Sequence, residues 1–238
     1  MSLLVASSTF HSVVLADAVV SSPLSHLAVA RQDTASAATP SQSAAHRATQ
    51  VDSELKLASH DARNMAHWII QSGDNGTRPF AIVDKKAAKV LVFYADGRLR
   101  GTAPALLGLA VGDEAIPGIG DRPLASIRPD ERTTPPGRFV VAMDRNLKGK
   151  EILWVDYDGA ISMHPVVTSK PKERRLQRLN SATPLDNRIS YGCINVPPKF
   201  FTSVVRAAFT GAEGIVYVLP DTKSLKDVFT SYTEISRK

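Results

Sequence analysis

The 238-residue chain has a single cysteine, Cys193. One cysteine cannot close an internal disulfide, and without a second there is no Cys-x-x-Cys for thiol redox exchange. Histidine is scarce where it would matter most: five of the six (His11, His26, His46, His60, His67) precede residue 68, and only His164 lies beyond. One Cys and one late His cannot hold zinc without several carboxylates, so neither metal nor cofactor is expected. No apolar run approaches the roughly 18 residues of a membrane-spanning helix, and no internal repeat is visible. Aromatic residues make up 6% of the chain and do not alternate with basic ones, so nucleic acid is not an expected partner.

What is present is uneven. Residues 81–238 hold 24 of the 29 Lys and Arg and 17 of the 23 Asp and Glu. The basic excess therefore lies in the second part of the chain and favours anionic partners. Residues 1–52 read as a disordered, linker or export segment. Ala28-Val29-Ala30 has the small-x-small form of a cleavage site, but no basic residue precedes the apolar stretch, which His11 and Asp17 interrupt. Residues 31–52, rich in Ala, Ser, Thr and Gln, have linker composition.

From Ser53 to Ser72, Leu55, Ala58, Ala62, Met65 and Ile69 recur at helical spacing. This predicts a helical lead-in over 53–78, with the helix packed on the outside and His60 and His67 at its surface. Short strands follow: 79–84, 89–94, 139–143, 152–155, 160–165 and 214–219. Residues 112–136 form a long Gly-, Pro- and Arg-rich loop of a kind that often walls a binding groove. A short helix is expected near 172–179, a second begins at Pro197-Pro198, and 221–238 reads as a polar tail.

The chemistry converges on Arg188-Ile189-Ser190-Tyr191-Gly192-Cys193-Ile194-Asn195. Gly192 allows a turn that other residues avoid. Such a turn presents the Cys193 sulfur and aims the amides of Gly192 and Cys193 at a substrate oxygen. His164 ends a strand at Pro165 and is the one candidate base in this region. The competing reading is a small buried Cys and a satisfied core His.

At these residues the chain resembles the L,D-transpeptidases of the YkuD type. Their signature is a His in an apolar strand, here Ile161-Ser162-Met163-His164, and then Ser-x-Gly-Cys with an apolar residue, here Ser190 to Ile194. An upstream Thr-Pro-x-Gly-x-Phe reads Thr134 to Phe139. The likeness runs from about Phe80 to Pro220, inside a candidate catalytic domain over 79–220. It implies a mainly β, sandwich- or barrel-like domain of short strands with one or two peripheral helices. It also implies a cysteine acyltransferase on peptidoglycan stem peptides, with Cys193 as nucleophile, His164 as base and Gly192, Ser190 and Tyr191 supporting the oxyanion site. Enzymes of this family are acylated by carbapenems and work outside the cytoplasmic membrane, so a periplasmic or wall-associated location follows. The alternatives are an L,D-carboxypeptidase or wall-damaging hydrolase on the same scaffold, and a non-catalytic wall-binding domain. Two positions depart from the pattern. Asn195 stands where the family has Arg, which leaves Arg188, Arg174 and Arg175 as candidate replacements for substrate contact. Pro165 stands where the family has Gly. A third group should orient His164, and a backbone carbonyl is the expected one.

Overall fold

The computed structural model describes residues 55–56 and 58–234; the expectations for residues 1–54 fall outside them. Helix α1 (His60–Ser72) begins later than its spacing predicts. Ser59 is extended and its hydroxyl accepts the Ala62 N–H at 3.1 Å, which caps the first turn there. Gly73 ends the helix in the left-handed region, its N–H bonded to the Ile69 carbonyl. The expected surface position of His67 is corrected, because His67 is buried. The helix is covered on more than one side: the sheet lies under Met65 and Ile69, and Tyr232 tilts against Trp68 with ring centroids 5.8 Å apart. The fully buried Met65 and Ile69 each contribute about 1.5–3 kcal/mol by leaving water.

Ten strands follow: β1 (Phe80–Asp84), β2 (Lys89–Phe93), β3 (Leu99–Pro104), β4 (Leu107–Gly108), β5 (Gly137–Arg145), β6 (Glu151–Asp156), β7 (Ile161–Pro165), β8 (Arg188–Ser190), β9 (Ile194–Val196) and β10 (Gly214–Val218). Eight of them form one sheet in the order β3-β2-β1-β10-β5-β6-β7-β9, and β4 pairs with β8. The β1–β10 and β7–β9 pairings are parallel. The sheet nearly closes. Ala105, just past β3, still donates to Ala88 beside β2, and the next residue, Leu106, exchanges both backbone hydrogen bonds with Asn195 of β9 at 2.8 and 2.9 Å. The fold is mainly β with short helices, as expected from the sequence.

The period-2 alternation of the strands decides what each face carries. Ala81, Val83, Val216, Leu153, Met163, Ile194 and Val196 point into one core. That core is closed by a helical stretch, α3, which is α over Pro198–Phe200, π over Phe201–Val205 and α again over Arg206–Phe209. On β1, β2 and β10 the opposite face, with Phe80, Ile82, Leu91, Phe93, Ile215 and Tyr217, lies under α1. Leu225, in a short capped helix (Leu225–Val228), joins that core with Phe229 and Tyr232. Residues 221–232, read as the start of a polar tail, are therefore tied to the sheet. On β7 and β9 the same opposite face carries Ser162, His164 and Asn195 instead.

A buried ionic cluster pins the ends of these elements together. The Lys85 ammonium donates to the carbonyls of Gly112 and Thr134 and to Asp113 Oδ1 at 2.8–2.9 Å, with Asp221 at 3.3 Å. Asp113 also accepts the N–H groups of Asp221, Thr222 and Lys223 at 2.7 Å each. Burial pushes the Asp113 carboxyl up, but Lys85 and these amides outweigh it and hold the group well below the ordinary carboxylate range.

Candidate functional site

Cys193 sits in the three-residue link between β8 and β9. The link turns at Gly192, whose φ is +129°. A Cβ there would lie 2.7 Å from the Thr133 carbonyl oxygen and 2.6 Å from Ile161 Cδ1, so the position requires glycine for both its backbone angle and its space. Ser190, fully buried, closes the turn from inside. Its hydroxyl donates to the Cys193 carbonyl at 2.7 Å and accepts the Gly192 N–H at 3.0 Å. Thr134 closes it from outside, donating to the Gly192 carbonyl at 2.8 Å and accepting the Gly108 N–H at 2.9 Å. The 112–136 loop thus buttresses the cysteine turn through its last residues. Tyr191 packs against the same loop, with the Arg132 guanidinium 4.0 Å from its ring centroid.

The parallel pairing of β7 with β9 sets His164 opposite Asn195, and paired residues of a parallel ladder share a face. The His164 ring is held at both nitrogens. Nδ1 lies 2.8 Å from the Pro165 carbonyl, and Nε2 lies 3.1 Å from Asn195 Nδ2. The Asn195 amide nitrogen also reaches the Cys193 carbonyl at 3.5 Å, so this one side chain links both candidates. The Cys193 sulfur is half-buried. It lies 3.7 Å from Ser162 Oγ and 3.6 Å from the Ala160 carbonyl, to which its S–H donates. Burial pushes the Cys193 thiol up, but His164 and the Ser162 amide and hydroxyl outweigh it, and the thiol ends below its ordinary value. For His164, burial pulls down, Cys193 and the Pro165 carbonyl push up more strongly, Arg175 pulls down, and the ring ends above its ordinary value.

The three candidate arginines separate. Arg175 donates to Asn195 Oδ1 and to Glu173 Oε2, each at 2.6 Å, with 13% of its side chain exposed. It enters the site from helix α2 (Arg175–Leu179). Arg174 has left-handed backbone at the start of that helix and bonds Gln177. Arg188 does not join the group: its guanidinium is bound to Asp221 at 2.7 and 3.2 Å and to the Lys85 carbonyl at 3.0 Å. Of the two amides expected to meet an oxyanion, that of Gly192 is spent on Ser190.

Cys193, His164 and Ser162 line a groove of about 990 Å³. One wall is the β5–β6 hairpin, with Arg145, Lys150 and Glu151; the other includes Val166, Val167 and, on α3, Phe201 and Arg206. The 112–136 loop, expected to wall the groove, contributes none of its lining residues. Ser162 is a site residue that sequence reasoning missed. The alternation Ile161-Ser162-Met163-His164 holds the signal, since it sets Ser162 and His164 on one face. Glu173 gave no such signal: it pairs locally with Arg175, and only the fold brings that pair to Asn195. Among the described residues no helix is long and apolar enough to cross a membrane.

No family model matches the chain, and no curated protein matches it. Among solved structures, it is similar to an L,D-transpeptidase (residues 123–326) from Xylanimonas cellulosilytica DSM 15894 at 17% identity and a TM-score of 0.35, over 60% of this chain. The matched part spans 61% of that solved chain.

Proposed function

We propose that this chain is a cysteine acyltransferase of peptidoglycan, an L,D-transpeptidase in reaction type, with residues 79–220 as its catalytic unit. The observation that carries the reading is a half-buried thiol that lines one groove together with a histidine whose Nδ1 rests on the Pro165 carbonyl at 2.8 Å. That is the arrangement of a nucleophile with an oriented base, and a merely buried cysteine has no use for it.

In the first step the Cys193 S–H proton passes to His164 Nε2 and the sulfur attacks the carbonyl of a stem-peptide residue. The Cys193 amide is the donor available to the oxyanion. The tetrahedral species collapses, the C–N bond breaks, and the leaving D-alanine amine takes the proton from Nε2. A thioester to Cys193 remains. An acceptor amine on a second stem then attacks it and the C–S bond breaks. The amine's proton returns through His164 to the sulfur, so the enzyme is regenerated. Arg145, Lys150 and Arg206 make the groove rim basic, which suits a substrate rich in carboxylates. The stem-peptide substrate follows from the likeness of the Thr134–Phe139, His164 and Ser190–Ile194 motifs. Peptidoglycan lies outside the cytoplasmic membrane, so the protein would act there.

Product analysis on purified disaccharide tetrapeptides tests this. Cross-linked dimers with released D-alanine are the expected products. Tripeptide without dimer assigns the same cysteine to hydrolysis, and no turnover by folded protein rejects the reading.

A further inference from the structure

The contact between Asn195 and His164 has a consequence for where the proton sits. Arginine has donors and no acceptor. The Asn195 oxygen must therefore face Arg175, 2.6 Å away, and its NH2 group must face His164 Nε2, 3.1 Å away. A nitrogen that accepts a hydrogen bond carries no proton. The single ring proton then lies on Nδ1, where the Pro165 carbonyl accepts it.

We propose that Arg175 and Asn195 form a latch that keeps His164 unprotonated at Nε2 in the resting site, so that Cys193 rests as a thiol and loses its proton only as it attacks. The inference rests on the assignment of Cys193 and His164 as nucleophile and base, and it adds which protonation state waits for substrate.

The physical basis is a conflict of donors. If Nε2 took the thiol proton at rest, its N–H would point at the Asn195 NH2. Turning the amide over would relieve that clash and create another, NH2 against guanidinium. Arg175 is held in place by Glu173 at 2.6 Å, so the amide has one favourable orientation. The charges around the pair act in the same frame. Cys193 and His164 draw each other toward an ion pair, and the Arg175 charge opposes a second positive charge on the ring. Arg145, Lys150 and Arg206 on the groove walls add positive charge, with Glu151 among them. Proton transfer from Sγ to Nε2 then requires Asn195 to release its hydrogen bond, a change that a bound acyl donor can drive by contacting the amide. The position is one where Asn does what Asp would undo: a carboxylate would accept from a protonated Nε2 and favour the ion pair.

The test is the pH profile of Cys193 alkylation by iodoacetamide, read by intact mass, together with thiolate absorbance. The chain has no other cysteine, so both signals are unambiguous. Asn195→Asp and Arg175→Gln are expected to move the alkylation midpoint down by about one pH unit, which is about tenfold faster reaction at a fixed pH below it. Arg175→Lys, which still donates to the amide oxygen, is expected to keep the parent midpoint. A merely structural role would change the rate uniformly and leave the midpoint in place. Parent-like midpoints in folded Asn195→Asp and Arg175→Gln overturn the latch. Arg175 lies on a five-residue surface helix, so its variant reads out even if position 195 does not tolerate a charge. Shifted midpoints without thioester formation on tetrapeptide would reject the proposed function and keep the latch. Thioester formation with unshifted midpoints would do the reverse.

Discussion

Thr134→Val replaces a hydroxyl by a methyl of the same shape at a residue with no solvent exposure. The volume is unchanged, so the effect reports the hydroxyl alone. Two buried backbone groups lose their partner: the Gly108 N–H, bonded at 2.9 Å, and the Gly192 carbonyl, bonded at 2.8 Å. Leaving a buried polar group unsatisfied costs about 1–3 kcal/mol. With some backbone relaxation the pair should cost about 2–4 kcal/mol. At a urea slope of about 2–3 kcal/mol/M this moves the unfolding midpoint down by roughly 1–1.5 M. Thr134→Ser is the control. It keeps both hydrogen bonds and loses one methyl, so it should cost about 1 kcal/mol. The two variants also separate in chemistry. In Thr134→Val the Gly192 turn loses its outer tie, and Cys193 alkylation should slow; in Thr134→Ser it should not. Equal urea midpoints for Val and Ser, or a Val variant with parent-like stability and alkylation, would refute the idea that this hydroxyl holds the cysteine turn.

Gly192→Ala should be harsher, because the added methyl meets the Thr133 carbonyl at 2.7 Å at a backbone angle of +129°. The expected loss is about 2–4 kcal/mol from backbone strain and overpacking, with Cys193 alkylation slowed; parent-like values in both assays would show that the turn does not need glycine. Asp113→Asn uncovers Lys85 in the buried cluster and should cost about 3–5 kcal/mol at neutral pH. The Asp113 carboxyl is held below its unfolded value, so its contribution is present above about pH 4 and is lost as pH falls through the lower folded value. The gap between parent and Asp113→Asn in urea unfolding should therefore narrow as the pH is taken below about 4; a gap independent of pH would contradict the assignment.

The candidate catalytic residues were legible in the sequence because they are rare. A lone cysteine after Ser-x-Gly and a lone late histidine point to each other without any knowledge of the sheet, and the structure puts both in one groove. The backbone carbonyl expected behind His164 is that of Pro165. Strands β1, β2, β5, β6, β7 and β10 were readable as short apolar runs between turn residues, and Pro197-Pro198 marked the start of α3. What was illegible depends on pairing across long stretches of chain. Nothing local shows that β7 and β9 run side by side, so the contact of Asn195 with His164, which sets the proton, could not be read from the Cys-x-Asn spacing. Arg188 looked like a site residue because it is near Cys193 in sequence. It is instead bound to Asp221, 33 positions away. Arg175, 20 positions from Asn195, is the arginine that arrives. Nothing local marks Lys85, and only the fold brings oxygens from Gly112, Asp113, Thr134 and Asp221 around it. The start of α1 was misplaced because Leu55 and Ala58 continue the helical spacing past the Ser59 cap.

We propose that Cys193 is an activated nucleophile in an acyl-transfer site. The most direct test is intact mass after incubation with a carbapenem, for the parent and for Cys193→Ala. One covalent adduct is expected on the parent and none on the variant. A folded parent that takes up no adduct, or a variant that takes up the same one, would contradict it.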